Sequence, residues 1–425
     1  MNTTRNRNNA GSRRSQSPSN SYSRRNSTSR NNRNGGGRQN KNKRNNGGRN
    51  KGRNMPTFNP TQFINSNPVE VKQEVYTATN SFEDFNLHEK LARNITTLKI
   101  ITPSPIQDKI IPEILNNRDV IGLAETGTGK TAAFLIPLIE NTIKNNRKQT
   151  LILTPTRELA MQIEEEFLKL SYGFRLHSVL CVGGVNIQPQ IKALQRHNHF
   201  VIGTPGRILD LIKRKNFKPI TVTTVVLDEA DRMLDMGFIH DIKNILSTTP
   251  RKRETLLFSA TMKDNTKDIV NNFLNNSIKV SVKKKDVIDS IEQGIVKFEH
   301  KTKLETLEKL LDKPEFKRVI VFGAMKHSVE KLSKQLSKKN IRSESIHGNK
   351  SHGQRQRALN NFKNGRARVL VATDVAARGI HVDNVTHVIN YDLPNTFEDY
   401  VHRIGRTGRS VNRGKALTFV AEKRS

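Results

Sequence analysis

Val120-Ile-Gly-Leu-Ala124-Glu125-Thr126-Gly127-Thr128-Gly129-Lys130-Thr131 is the stretch on which the reading of this chain turns. A short apolar run, a glycine-rich turn and an apolar-periodic segment follow one another directly, which is strand, loop and helix in succession. That context is what a phosphate-binding loop requires. Its glycines let backbone N–H groups face phosphate oxygens, and the helix N-terminus adds a favourable dipole. Lys130 is placed to reach the terminal phosphates, and Thr131 offers a hydroxyl to Mg2+. Ala124 stands where the general pattern carries Gly, a change the loop tolerates.

The alternation continues outward from there. Apolar runs at 151–154, 200–203, 225–227 and 256–258 read as buried strands, with helical periodicity at 132–144, 158–170 and 207–213 between them. A second series follows, with strands at 318–322, 343–346, 369–372, 387–390 and 416–420 and helices at 328–339, 354–362 and 397–404. Strands and helices in alternation predict parallel sheets covered on both faces. Two tandem α/β domains are expected, 81–280 and 290–425, joined by the polar, Lys-rich 279–289. Their facing surfaces make a cleft.

Charge says what such a cleft serves. Lys and Arg number 73 against 39 Asp and Glu, a formal net charge of +34 over 425 residues. So large an excess favours a polyanion, because each phosphate neutralised releases condensed counterions. Residues 1–54 hold fifteen Lys or Arg and no acid, among many Asn, Ser and Gly. Such a segment cannot bury enough apolar surface to offset its ordering entropy, so 1–80 is expected to be a disordered basic tail. Gly35-Gly-Gly-Arg38 and Gly47-Gly-Arg49 within it resemble arms that hold nucleic acid by charge alone. The single cysteine, Cys181, excludes an intramolecular disulfide or a Cys-rich zinc site and reads as a buried strand residue. No run is long and apolar enough for a membrane span, and the N-terminus lacks a secretory core, so a soluble cytoplasmic chain is expected.

A second motif completes the chemistry. Val225-Val-Leu-Asp228-Glu229-Ala-Asp231 ends an apolar strand. A carboxylate there suits Mg2+, partly through water, and Glu229 is placed to polarise an attacking water. Asp228-Glu-Ala-Asp231, with Ser259-Ala-Thr261, Pro155-Thr-Arg-Glu-Leu-Ala160, Thr204-Pro-Gly-Arg207 and His402-Arg-Ile-Gly-Arg-Thr-Gly-Arg409, resembles the DEAD-box RNA helicases of superfamily 2. The resemblance runs in order from about residue 82 to 420.

That resemblance implies two RecA-like lobes with ATP and Mg2+ between them, and it implies roles. Phe82 and Gln107 would face the adenine, and Ala124, Glu125, Thr126, Gly127, Thr128, Gly129, Lys130 and Thr131 would cradle the phosphates. Asp228, Glu229, His402 and the arginine fingers Arg406 and Arg409 would carry hydrolysis. Ser259 and Thr261 would bond to the Asp231 region and link nucleotide state to closure. RNA would lie on Pro155, Thr156, Arg157, Gly184, Thr204, Gly206 and Arg207 of the first lobe, and on Arg355, Thr373 and Asp374 of the second. Most of these offer amides, hydroxyls or guanidinium groups, which suit sugar and phosphate rather than base edges. RNA would be preferred over DNA through its 2′-hydroxyl.

Three positions depart from the family's usual pattern: Ile100, preceded by Lys99 in place of Gly; His352; and His381, with Asp383 two residues on. Weaker ATP affinity is expected from the first, and a weakened second-lobe contact from His352. The chain ends soon after the last motif, so no C-terminal recognition domain is expected. A monomer that unwinds short duplexes or remodels ribosomal or messenger ribonucleoproteins, binding single strands and short duplexes of RNA, is the expected function. A non-hydrolysing RNA clamp, an RNA chaperone acting through the tail and a DNA translocase are the rivals.

Overall fold

The computed structural model describes residues 76–124, 127–282, 291–299, 302–377, 382, 384–408 and 414–422. The first lobe is built on β1 (Val120–Leu123), β2 (Thr150–Leu153), β3 (Ser178–Cys181), β4 (Phe200–Gly203), β5 (Thr224–Leu227), β6 (Glu254–Ser259) and β7 (Ile278–Ser281), in the order β3-β4-β2-β5-β6-β1-β7. The second is built on β8 (Glu292–Phe298), β9 (Val319–Phe322), β10 (Ser343–Ile346), β11 (Val369–Ala372), β12 (His387–Asn390) and β13 (Lys415–Ala421), in the order β10-β11-β9-β12-β13-β8. Every pairing is parallel.

The strands are continuous apolar runs because both of their faces are covered. The pleat sends alternate side chains to opposite cores. Ile152 and Val226 join one cluster with Phe134, Phe167 and Phe258, while Leu151, Leu153, Val225 and Leu227 join the other with Ile208, Ile242 and Met233. In the second lobe Val319, Val321, Val369 and Val371 pack on one face, and Ile320, Phe322, Leu370 and Val388 on the other. Each such side chain taken out of water contributes roughly 1.5–3 kcal/mol before ordering entropy is set against it. These cores hold the strand ends still, and in open parallel sheets ligands bind beyond the carboxyl ends.

The expected strands and helices are present, with shifted ends. The helix after the phosphate-loop stretch spans Lys130–Lys144, so Lys130 is its first residue. Residues 279–281, expected in the linker, belong to β7, which pairs with β1; 283–290 lie outside the described residues. β8 was not legible because Glu292-Gln-Gly-Ile-Val-Lys-Phe298 is half polar, and it forms by pairing with β13. Residues 76–80 were assigned to the tail, yet they are anchored on the first lobe by hydrogen bonds to Asp108. Residues 1–75 lie outside the described residues. Among the described residues no helix is long and apolar enough to cross a membrane. Cys181 is a fully buried strand residue.

Candidate functional site

The carboxyl ends of β5, β6 and β1 lie side by side and carry the nucleotide motifs. Gly129 sits at φ +89°, a left-handed conformation that glycine adopts without strain. A Cβ there would also meet Gln107 Nε2 at 2.6 Å. The close approach is a tether: Gln107 Nε2 donates to the Gly129 carbonyl (3.2 Å), and Ser104 Oγ donates to the Thr128 carbonyl (2.8 Å). Gln107 Oε1 accepts from the Ser104 N–H (2.9 Å). The buried amide keeps one N–H and one lone pair for a further partner. Glu125 and Thr126 lie outside the described residues.

Lys130 is buried and its Nζ donates to the Ala124 carbonyl (2.8 Å). Asp228, 3% exposed, has its carboxyl pushed up to about 6. Burial is the main cause; Glu229 and Asp231 add to it and Lys130 opposes it. Asp228 Oδ1 accepts from the Glu229 N–H (2.9 Å), and Glu229 itself takes φ +51°, which turns the chain sharply into the helix Ala230–Asp235. Asp231 Oδ2 accepts from the N–H groups of Ala260 (3.1 Å) and Thr261 (3.0 Å) and from Thr261 Oγ1 (3.1 Å). Expectation is corrected at Ser259, whose hydroxyl donates to the Thr261 carbonyl (2.6 Å) instead of to Asp231.

Phe82 is half-buried on the first lobe's core, with its ring edge-on to Phe85 at 5.9 Å. Ile100 also packs into that core, whereas its neighbour Ile101 is 81% exposed. Lys99 takes φ +59°, the conformation for which glycine is suited.

From the second lobe, the helix Phe397–Ile404 brings His402 and then Arg406 to a small cavity also lined by Asp399 and Arg403. His402 Nδ1 is buried with no hydrogen-bond partner among the described residues, and Arg406 is 6% exposed. Arg409 lies outside the described residues, as do His381 and Asp383. The helix meets the first lobe through charge. Lys263, two residues after Thr261, reaches Glu398 (2.9 Å) and Asp235 (3.3 Å), and Arg232 approaches Asp399 (4.0 Å).

The carboxyl ends of β3, β4 and β2 form the other half of the same edge. Two helices start there, Arg157–Leu170 after β2 and Pro205–Lys213 after β4, so two positive helix ends face one side. Thr156 caps the first, its hydroxyl accepting from the Leu159 N–H (3.2 Å). Thr204 is the cap residue of the second; Pro155 is buried before the first, and Gly206 is exposed in the opening turn of the second. Gly184 is at φ +72°, and a Cβ on it would sit 1.9 Å from Arg157 Nη1, so the guanidinium packs closely against this glycine. Burial lowers the Arg157 pKa, and Arg355 and Arg207 lower it further while Glu158 opposes. Arg355, from the second lobe, pairs with Glu158 at 3.1 Å. Arg207 Nη2 donates to the Val185 carbonyl (3.2 Å), leaving Nη1 buried and unpartnered among the described residues. Half-buried His352 adjoins this group, its pKa lowered by burial foremost.

Thr373 is buried at the end of β11. Both oxygens of Asp374 accept from Arg403 (2.5 and 2.7 Å), which ties its carboxylate into the second lobe's own structure. Arg403, 2% exposed, also donates to the Asp392 carbonyl (2.6 Å) and lies over the Phe322 ring at 5.1 Å. Arg403, Glu158 and Lys263 were missed as site-building residues. Arg403 and Glu158 stand inside motifs already quoted, but nothing in their spacing signals a partner that distant in sequence.

A glycine-rich loop running into Lys130, an acidic strand end and a buried arginine of the second lobe, Arg406, spread over two parallel-sheet lobes, define a two-lobed nucleotide-hydrolysing enzyme. The chain matches the DEAD/DEAH box helicase family over residues 104–269 and the helicase conserved C-terminal domain over 302–411. It is 47% identical to the ATP-dependent RNA helicase CshA of Listeria monocytogenes, covering 80% of this chain and 66% of that protein. It is 46% identical to the DEAD-box ATP-dependent RNA helicase CshA of Geobacillus kaustophilus, covering 80% of this chain and 73% of the relative. The structure of S. cerevisiae Dbp5 bound to RNA and ADP BeF3 matches with a TM-score of 0.72 at 31% identity, over 81% of this chain and 90% of that one. The chain belongs to the DEAD-box ATP-dependent RNA helicases.

Proposed function

We propose that the chain couples ATP hydrolysis to closure of its two lobes over RNA, and that closure releases strands from short duplexes or remodels ribonucleoproteins. The observation that carries this reading is the gathering of Arg207 from the first lobe and Arg355 from the second beside Arg157, with Glu158 paired to Arg355 at 3.1 Å. Three neighbouring guanidinium groups, one of them paired with a carboxylate, leave positive charge for a phosphate backbone to neutralise. Contacts of that kind carry no base sequence, so binding is largely sequence-independent.

Within the nucleotide half, Lys130 exchanges its bond with the Ala124 carbonyl for the terminal phosphates, and Gln107 and Phe82 hold the base. Glu229 orients and polarises the attacking water. Arg406 and Arg409 stabilise charge on the transferring phosphoryl group, and His402 links the γ-phosphate side to the Ser259–Thr261 segment. Since these come from the second lobe, turnover waits on closure. The hard oxygens of Thr131 and Asp228, the latter a buried carboxylate, suit Mg2+, which would neutralise phosphate charge when bound. Among the described residues no cluster of three or more His, Cys, Asp or Glu forms a protein cage for a metal, so such an ion would be shared with phosphate and water.

The acting unit comprises an ATP-binding domain, 81–280, and a C-terminal domain, 290–425, working as a cytoplasmic monomer on ribosomal or messenger ribonucleoproteins. Release of a labelled strand from a short RNA duplex by the purified chain, with ATP and without it, tests the reading. Release should require ATP, and an equal yield in its absence would overturn it.

A further inference from the structure

Asp108 follows Gln107 on the helix Pro105–Leu115 and is 2% exposed, yet it touches no group assigned to phosphate, metal or water. Its carboxylate is filled by one upstream segment. Oδ2 accepts from Tyr76 Oη (2.5 Å) and the Thr79 N–H (2.8 Å); Oδ1 accepts from the Asn80 N–H (3.0 Å) and Asn80 Nδ2 (2.7 Å). Four donors converge on one anion, with both oxygens doubly used. Burial alone would raise this carboxyl, but the four bonds outweigh it and hold it below the ordinary value. The segment so fastened leads within two residues to Phe82, which seats on Phe85 after the Ser81 N–H and Oγ close a turn on Asp84 (2.6 and 2.8 Å).

We propose that Asp108 is a positioning residue that buckles the Phe82 segment onto the Gln107 helix, and so assembles the base end of the nucleotide site from two separate pieces of chain. This rests on the reading that Phe82 and Gln107 meet the adenine. Without the buckle, the segment before Phe82 keeps no other hydrogen-bond tether to that helix among the described residues, whereas Gln107 retains its own bonds to Ser104 and Gly129. The phosphate end is then left intact and only the base end loosens. An asparagine cannot substitute, because its amide offers one acceptor oxygen and turns two further donors towards donors.

The test is steady-state, RNA-stimulated ATP hydrolysis by the full-length Asp108→Asn and Tyr76→Phe variants, with inhibition by tripolyphosphate, which has phosphates but no base. For Asp108→Asn the expected result is a KM for ATP raised about tenfold, the low end of losing charge-assisted hydrogen bonds, with kcat within about twofold. The tripolyphosphate inhibition constant stays unchanged. Tyr76→Phe removes one donor without altering shape and should raise the KM two- to threefold; it carries the test if the first variant does not fold. An unchanged KM in the folded variants, or a tripolyphosphate constant that shifts in parallel with it, overturns the proposal. Failure of the underlying assignment is distinguishable, because the unaltered protein would then hydrolyse GTP as readily as ATP.

Discussion

Along the carboxyl edge of the first sheet, β5, β6 and β1 carry acids and one lysine, and β3, β4 and β2 carry arginines beside small residues and helix ends. The acidic half keeps its polar groups in internal bonds: Lys130 on Ala124, Asp231 on Ala260 and Thr261, Gln107 on Gly129. In the basic half, burial and the neighbouring Arg355 and Arg207 lower the Arg157 pKa, and buried nitrogens such as Arg207 Nη1 stay unpartnered among the described residues. On the proposed reading, a nucleotide would take over the internal bonds of the first half. A phosphate backbone would relieve the crowding of like charges in the second. Substrate in each is therefore expected to act on stability and salt dependence differently.

Substitution within the acidic half should show the largest effect. Glu229→Gln keeps volume and hydrogen bonding but cannot polarise water, so RNA-stimulated phosphate release should fall on the order of 10³-fold while strand affinity, read by a filter or anisotropy titration, is retained. Loss of both together would erase the division between the halves.

Asp228→Asn is expected to abolish turnover and yet stabilise the fold. The Asp228 carboxyl sits at about 6 in the folded chain, above its unfolded value near 3.8. A raised carboxyl binds its proton more tightly when folded, so its stabilising effect is complete below the unfolded value and is lost as pH rises through about 6. At pH 7.5 the wild-type chain bears a buried charge that the amide lacks, and the variant should gain roughly 1–3 kcal/mol in thermal or urea unfolding without nucleotide. The gain should vanish near pH 4. A variant less stable at pH 7.5 would show that Asp228 is not strained by burial.

Gly184→Ala probes the basic half. Alanine at φ +72° is strained, and its Cβ would displace the Arg157 guanidinium. RNA affinity at fixed salt should fall about tenfold, the value of one misplaced charge-assisted contact, with the KM for ATP little changed. Smallest is the seam between the lobes. Lys263→Glu should lower RNA-stimulated turnover about two- to fivefold, as expected for a partly exposed ion pair. Adding Glu398→Lys should restore most of it, and no recovery in the swapped pair would remove that bridge from the closure mechanism.

Legibility in the sequence followed the range of each contact. The phosphate loop could be read because strand, turn and helix are consecutive, and the acidic strand end because its carboxylates sit within four residues. Lys99 was flagged where a glycine is usual, and its backbone keeps the left-handed turn regardless, since tertiary packing overrides the residue's preference. The Asp108 buckle, the Arg403–Asp374 fork and the Lys263–Glu398 bridge were illegible, because each joins residues that no periodicity relates. Asp374 adds a second case: its motif position implied an RNA contact, and nothing in the sequence indicated that its carboxylate also holds the buried Arg403 guanidinium.

By itself, the order of residues determined the chemistry on offer: a glycine turn with its lysine, acids at a strand end, arginines in a helix-ending run, and excess positive charge. Strand order was decided by folding alone. Placing β5, β6 and β1 together and β3, β4 and β2 together sorts the motifs into an acidic and a basic half, and lobe packing brings Arg355 to Glu158 and Glu398 to Lys263. The reason is physical: sheet neighbours are chosen by which apolar faces can be buried jointly, a property of the whole chain that no local stretch encodes.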